Sequence, residues 1–122
     1  MKIKIEVDSK EAMRVLKKAK KGTKVGASRG IKTAGFLLMR EIKESIAGRK
    51  AEPRSVDTGR FLSSVQVGFA PDNAVVYSDV NYGKFLEYGT SKMHERRHFR
   101  NSAARKKKEI QKIIGEKIKK SI

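Results

Sequence analysis

Two histidines four residues apart, with a glutamate beside the first, are the residues in this chain whose spacing best suits chemistry. His94-Glu95-Arg96-Arg97-His98 satisfies H-E-x-x-H, the pattern in which two imidazoles on one helical turn bind zinc and the glutamate activates a water. The surroundings oppose that reading. Both variable positions are Arg, Lys92 lies just upstream, and nearby cations disfavour a bound dication. The chain has two His in all, so a third ligand would have to be Glu109 or Glu116, neither of which sits in a supporting motif. The plainer reading makes His94 and His98 ordinary residues of a loop or a helix start. Asp57-Thr58-Gly59-Arg60 contains the D-T-G of aspartic proteases, but that chemistry needs two carboxylates sharing a proton, and no second D-T-G exists. A turn accounts for it equally well, with Asp bonding its own backbone and Gly supplying positive φ. There is no Cys, which removes disulfides, thiolate metal sites and Cys nucleophiles. No Walker loop, dinucleotide fingerprint or nucleophile with a paired base is present. The residues therefore predict neither an enzyme nor a metal or cofactor site.

Charge is the stronger signal. The 122 residues carry 30 Lys and Arg against 13 Asp and Glu, a net +17. The excess is segregated: residues 1–60 are net +10, residues 61–91 net −2, and residues 92–122 net +9. An excess of this size predicts self-repulsion and an anionic partner, and says nothing about fold. Arg105-Lys106-Lys107-Lys108, with Arg97 and Arg100 upstream, offers a set of phosphate or acidic-partner contacts, and each neutralised phosphate would make binding salt-sensitive. Arg49, Lys50 and Arg54 form a second such group. The bland alternative for either is a solvated surface. No aromatic residue interleaves the run, so base stacking is not indicated. No apolar run approaches the roughly 18 residues of a membrane span, and Met1-Lys2-Ile3-Lys4-Ile5 lacks the pattern of a signal peptide.

The elements that must position these residues follow from periodicity. Ile3, Ile5 and Val7 alternate as in a half-buried strand. Asp8 or Ser9 can cap a short helix over Ala12, Val15, Leu16 and Ala19 that ends at Gly22. Ala27, Ile31, Ala34, Leu38, Ile42 and Ile46 recur at three and four, the stripe of a long amphipathic helix. Gly30 and Gly35 weaken that helix, so close packing against a sheet is their expected use. Residues 47–60 read as a long mobile loop. Val65, Val67 and Phe69, then Ala74 to Ser78, read as a hairpin about the Ala70-Pro71-Asp72-Asn73 turn. Tyr82, Phe85 and Leu86 fit one helical turn, stopped by Gly89. Phe99, Ala103, Ile110, Ile114 and Ile118 form a thin stripe on a last helix, interrupted at 105–108 where an apolar residue is due and frayed over 115–122. This predicts one α+β domain over 1–122, a small antiparallel sheet packed against a long helix, with a C-terminal helix.

One ordered set of motifs is more specific than any of these. Val56-Asp57-Thr58-Gly59-Arg60-Phe61-Leu62-Ser63-Ser64 precedes the hairpin. Val80-Asn81-Tyr82-Gly83-Lys84-Phe85-Leu86-Glu87-Tyr88-Gly89-Thr90-Ser91-Lys92-Met93 follows it, and then Arg96-Arg97-His98-Phe99-Arg100-Asn101-Ser102. This order over residues 25–120 resembles the small tail-component family of long-tailed bacteriophages, the HK-ninety-seven gene-product-ten-like proteins. Gly83 stands where the family usually has Ala, and Glu95 and Arg97 where it has Ala and Pro. The resemblance implies a fold like that of tail-terminator proteins. It also implies a virion protein, assembled in the host cytoplasm, that joins head to tail or completes the tail as a ring at the neck. Its partners would be further copies of itself and neighbouring neck and tail-tube proteins, with non-specific contact to double-stranded DNA. Asp57, Thr58, Gly59, Arg60, Tyr82, Glu87, Gly89, Thr90, Ser91, Lys92, Met93, Arg96 and Phe99 then become structural motif residues. For Glu87 the expected role is a carboxylate bonding the backbone of the next turn or pairing with Arg60 or Arg96. The competing class is a free basic nucleic-acid-binding module.

Overall fold

The stripe of small and branched residues between Ala27 and Ile46 sits on a 24-residue helix, α1 (Thr23–Ile46), and all six of its members are buried. The computed structural model describes residues 3–8, 23–52, 55, 59–70, 73–80, 83–91 and 94–120. The short helix expected over residues 12–19 lies outside them. α1 ends where the sequence places a glycine. Gly48 has φ +82°, its N–H donates to the Ser45 carbonyl (3.1 Å), and the Arg49 N–H donates to the Glu44 carbonyl (2.9 Å). That pair of bonds is a Schellman closure, in which a left-handed glycine lets two orphan carbonyls be satisfied.

Strands β1 (Ile3–Asp8), β2 (Gln66–Ala70) and β3 (Asn73–Ser78) form an antiparallel sheet in the order β1-β3-β2. β2 and β3 pair from Gln66↔Tyr77 to Ala70↔Asn73, and β1 pairs with β3 from Ile3↔Ser78 to Asp8↔Asn73. Alternation puts Val7, Ala74 and Val76 into the core, with Ile5 and Val67 packed against it. The sheet therefore has one face on the helices. A five-residue helix, α2 (Arg60–Ser64), precedes β2 and buries Phe61; Val65, which the alternation assigns to the strand, caps α2 instead. The expected turn after Tyr82 is α3 (Gly83–Tyr88), and the last helix is α4 (His98–Lys120).

α1 is the element that the others share. It packs along α4 and against all three strands. The two glycines in its middle show how closely. A Cβ on Gly35 would stand 2.9 Å from the Phe69 ring and 3.1 Å from the Ala74 methyl, so Gly35 meets the sheet as expected. Gly30 does not. A Cβ there would stand 2.8 Å from the Ile114 Cα, so Gly30 is the point where α1 touches the backbone of α4.

That contrast is testable by thermal unfolding. Gly30→Ala should destabilise the fold by about 1–3 kcal/mol, because the helices must separate, despite the better helix propensity of Ala. Gly115→Ala, where nothing lies within 4 Å of the added methyl, should instead stabilise by up to about 1 kcal/mol.

Candidate functional site

α4 begins without a cap of its own. The residue before it, Arg97, carries no acceptor side chain and sits at φ +55°, a left-handed conformation uncommon outside glycine. The first N–H groups of any helix need acceptors, and here they come from another element. Glu87 on α3, 1% exposed, accepts the Phe99 N–H at Oε1 (2.8 Å) and the Arg100 N–H at Oε2 (3.0 Å). The Arg100 guanidinium closes back on the same carboxylate through Nε (2.9 Å) and on the Glu87 carbonyl through Nη2 (2.5 Å). It also donates to Glu95 (3.1 Å) and lies 4.6 Å from the centre of the Tyr88 ring. A buried carboxylate is tolerated when charge and lone pairs are both answered, and Glu87 has two helix N–H groups and a cation. The Arg96 N–H donates to the Leu86 carbonyl (2.7 Å) and completes the seam between α3 and α4.

One turn further along, α4 meets the end of α1 and the loop after it. Ser45 of α1, Glu52 and Ser55 of the loop and His98 of α4 form one chain of hydrogen bonds. Ser45 Oγ donates to Glu52 Oε1 (2.5 Å) and so accepts from His98 Nδ1 (2.7 Å). The other imidazole nitrogen, Nε2, then accepts from Ser55 Oγ (2.7 Å), which in turn accepts from Arg96 Nη1 (2.8 Å). This tautomer is assigned from the network. The Glu52 carboxylate also accepts Asn101 Nδ2 (3.0 Å) and Arg105 Nη1 (2.7 Å). Arg105 spans the gap to Glu41 of α1 through Nε (2.9 Å). Among the described residues no buried side-chain nitrogen or oxygen lacks a partner. Burial raises the Glu52 pKa, but donation from Arg105, Ser45 and Asn101 outweighs it and holds the carboxyl at about 2. Burial lowers the pKa of His98 below its ordinary value, the nearby Glu87 and Glu52 opposing the shift and Arg96 and Arg105 assisting it.

The H-E-x-x-H spacing therefore does not make a metal pair. His94 is exposed and precedes the helix, while His98 is its first residue, fully buried, with both ring nitrogens engaged by serine hydroxyls. No cluster of three or more potential metal ligands occurs among the described residues. Gly59, of the D-T-G, takes the left-handed φ of +81° just before α2.

The structure separates the basic residues that the sequence groups together. Arg105 and Lys106 turn inward. Lys106 occupies the missing stripe position, 3.1 Å from Glu109 and 3.9 Å from Glu41. Lys50 lies 3.4 Å from Glu41 and 3.3 Å from Glu44, and Arg97 3.8 Å from Glu95. Arg49, Lys107 and Lys108 are exposed, with no ion-pair partner among the described residues. Of the motif residues, Phe99 is fully buried. Gly89 ends α3 at φ +78°, with its N–H on the Phe85 carbonyl (2.8 Å). Thr90 and Ser91 are exposed, and Arg60 opens α2. The cation on Glu87 is Arg100, not Arg60 or Arg96. Arg54, Asp57, Thr58, Tyr82, Lys92 and Met93 lie outside the described residues. The Ser45–His98–Ser55 chain is what sequence reasoning missed. Its trace was Ser45, a polar residue three after Ile42 on the buried stripe.

A family model described as "Bacteriophage HK97-gp10, putative tail-component" matches residues 10–89. The chain belongs to this family. It is a family of phage structural components, not of enzymes. No curated protein and no solved structure matches the chain. In this tail component the matched stretch holds α1, the loop, the hairpin and α3 with Glu87. It ends at Gly89, so the E-x-G-T-S-K-M motif is cut at its centre. Arg96, His98, Phe99 and Arg100 lie beyond it. The contacts around Glu87 and Glu52 thus join the matched part to the helix that follows.

Two outcomes follow for the tail component. Glu87→Gln keeps the shape but removes the charge facing Arg100 and two N–H groups, and should cost about 1–3 kcal/mol in urea unfolding. The His98 contact sets a pH dependence. Its folded pKa lies below the ordinary 6.5, so the unfolded chain takes the proton first. Stability is full above 6.5 and falls as the pH drops below it. A second loss begins below the ordinary carboxyl value of 4.5 and continues toward the folded Glu52 value of about 2. Unfolding midpoints measured from pH 7.5 to 5 should slope for the native chain and be nearly flat for His98→Gln.

Proposed function

We propose that this tail component joins head to tail, or completes the tail, by closing into a ring at the phage neck, where it meets neck and tail-tube proteins. The observation that carries this reading is the family match over 10–89, on a fold whose polar residues are organised to hold elements together. A closed ring needs a heterologous contact, one face of each copy on a different face of the next.

The placement of charge constrains that ring. Glu41, Glu44, Glu52, Glu87, Glu95 and Glu109 all pair with cations of the same chain. Little negative charge is left to face a neighbour, and the +17 excess opposes closure. The excess is offset on faces that meet acidic partners, while a lumen lined with Lys and Arg would grip the DNA that has to pass. A free DNA-binding role would rest on Arg49, Lys107 and Lys108, which are exposed.

Raising salt should therefore promote self-assembly of the isolated protein, followed by light scattering and negative-stain microscopy, alone and with a tail-tube protein. A strict monomer in both conditions contradicts the ring. Tight duplex binding that weakens steeply with salt, without any ring, favours the DNA-binding module.

A further inference from the structure

We propose that the free edge of β2, with Phe36 and Phe69 beside it, is the surface on which a second copy of this chain docks. The inference deepens the ring reading and rests on it.

It begins with a gap in the charge. Between Arg60 and Lys84 the chain has no Lys or Arg, although these make up 30 of its 122 residues. β2 and β3 are both drawn from this gap. The strand order leaves β2 bonded to β3 on one side, and among the described residues no strand pairs with its other side. Alternate N–H and C=O groups of such a strand point outward, ready to accept another. Edge strands are commonly guarded by a charge, a proline or a bulge. Gln66-Val67-Gly68-Phe69-Ala70 has no charge and no proline, and its register with β3 runs unbroken from Gln66↔Tyr77 to Ala70↔Asn73. β1, the other outer strand, carries Lys4 and Glu6.

The apolar contribution sits on the helix side of the same edge. Phe69 is 38% exposed and Phe36 of α1 is 53% exposed, their ring centres 5.1 Å apart at a tilt of 56°. Gly35 beneath them lets the Phe69 ring lie against α1, so the pair is held in place. Lys32 borders the pair one turn before Phe36, and Arg40, one turn after, is paired with Glu44 (3.2 Å).

Charge selects the occupant. A nucleic acid needs cations, and this strip has none. An acidic protein gains nothing from it over the cationic surface elsewhere. A second copy gains the most, because two chains of +17 oppose cations wherever they touch unless one of the touching surfaces lacks them. This strip is such a surface, and it offers backbone bonds and aromatic area together.

The test is sedimentation of the full chain at a salt concentration where it self-associates, with Phe69→Lys, Phe36→Lys and, as a control on α3, Phe85→Lys, whose aromatic ring is 48% exposed. Phe69→Lys and Phe36→Lys should each raise the concentration needed for association by about tenfold or more, and Phe85→Lys should leave it nearly unchanged. Circular dichroism checks that each variant folds. If Phe69→Lys does not fold, Gly68→Lys replaces it, since an added Cβ there meets only the Tyr77 ring at 3.8 Å. Hydrogen exchange should show β2 amides gaining protection as concentration rises. Association that survives these variants, or protection confined to other elements, overturns the proposal and leaves the ring reading standing. A native chain that never associates removes both.

Discussion

The start of α4 is held by carboxylates that it does not carry. Glu87 from α3 takes its first N–H groups, and Glu52 from the loop takes Asn101 and Arg105. Glu41 from α1 takes the rest of the Arg105 fork. All three carboxylates are nearly inaccessible to solvent, where an unanswered negative charge is costly. Each needs α4 in place, and α4 needs Glu87 because Arg97 supplies no cap. The apolar stripe brings α4 near α1, but it has a gap between Ala103 and Ile110, and this network spans that gap. Packing brings the elements together; the carboxylates set the register.

The same network explains why a strongly basic chain can fold at all. Self-repulsion opposes the compact state, and the few acids are concentrated where they counter it best. Arg100 and Arg105 have their pKa values raised, Arg100 against its burial by Glu87 and Glu95, and Arg105 chiefly by Glu52. They act as internal struts. What remains outside is almost purely positive, apart from the strip contributed by the hairpin.

Much of the fold was legible in the sequence because it rests on periodicity. Ala27 to Ile46 marked α1, alternation marked the strands, and Gly48 and Gly89 marked two helix ends. Local rules failed where partners are distant in the chain. α2 is too short to leave a stripe, and Val65 looked like strand because it alternates with Val67. Gly30 was legible as a close approach, but not the helix it approaches. The run at 105–108 read as one patch, although successive residues on a helix point in different directions, so Arg105 and Lys106 turn inward and Lys107 and Lys108 do not. His98 was noticed for the wrong chemistry. Its partners, Ser45 and Ser55, lie 53 and 43 residues away, and no spacing rule connects them. The family motifs pointed to Glu87 without showing that it caps a helix beyond the matched stretch.

Because Glu41, Glu52 and Glu87 all precede α4, their neutralising groups are the last to leave the ribosome. A chain broken off before Arg100 would hold three carboxylates facing a missing helix, and its α1 would present Ile31, Leu38 and Ile42 to water. Such a fragment has no stable resting state to bring to assembly. The arrangement makes folding a check on completeness, so that only full-length subunits reach the virion.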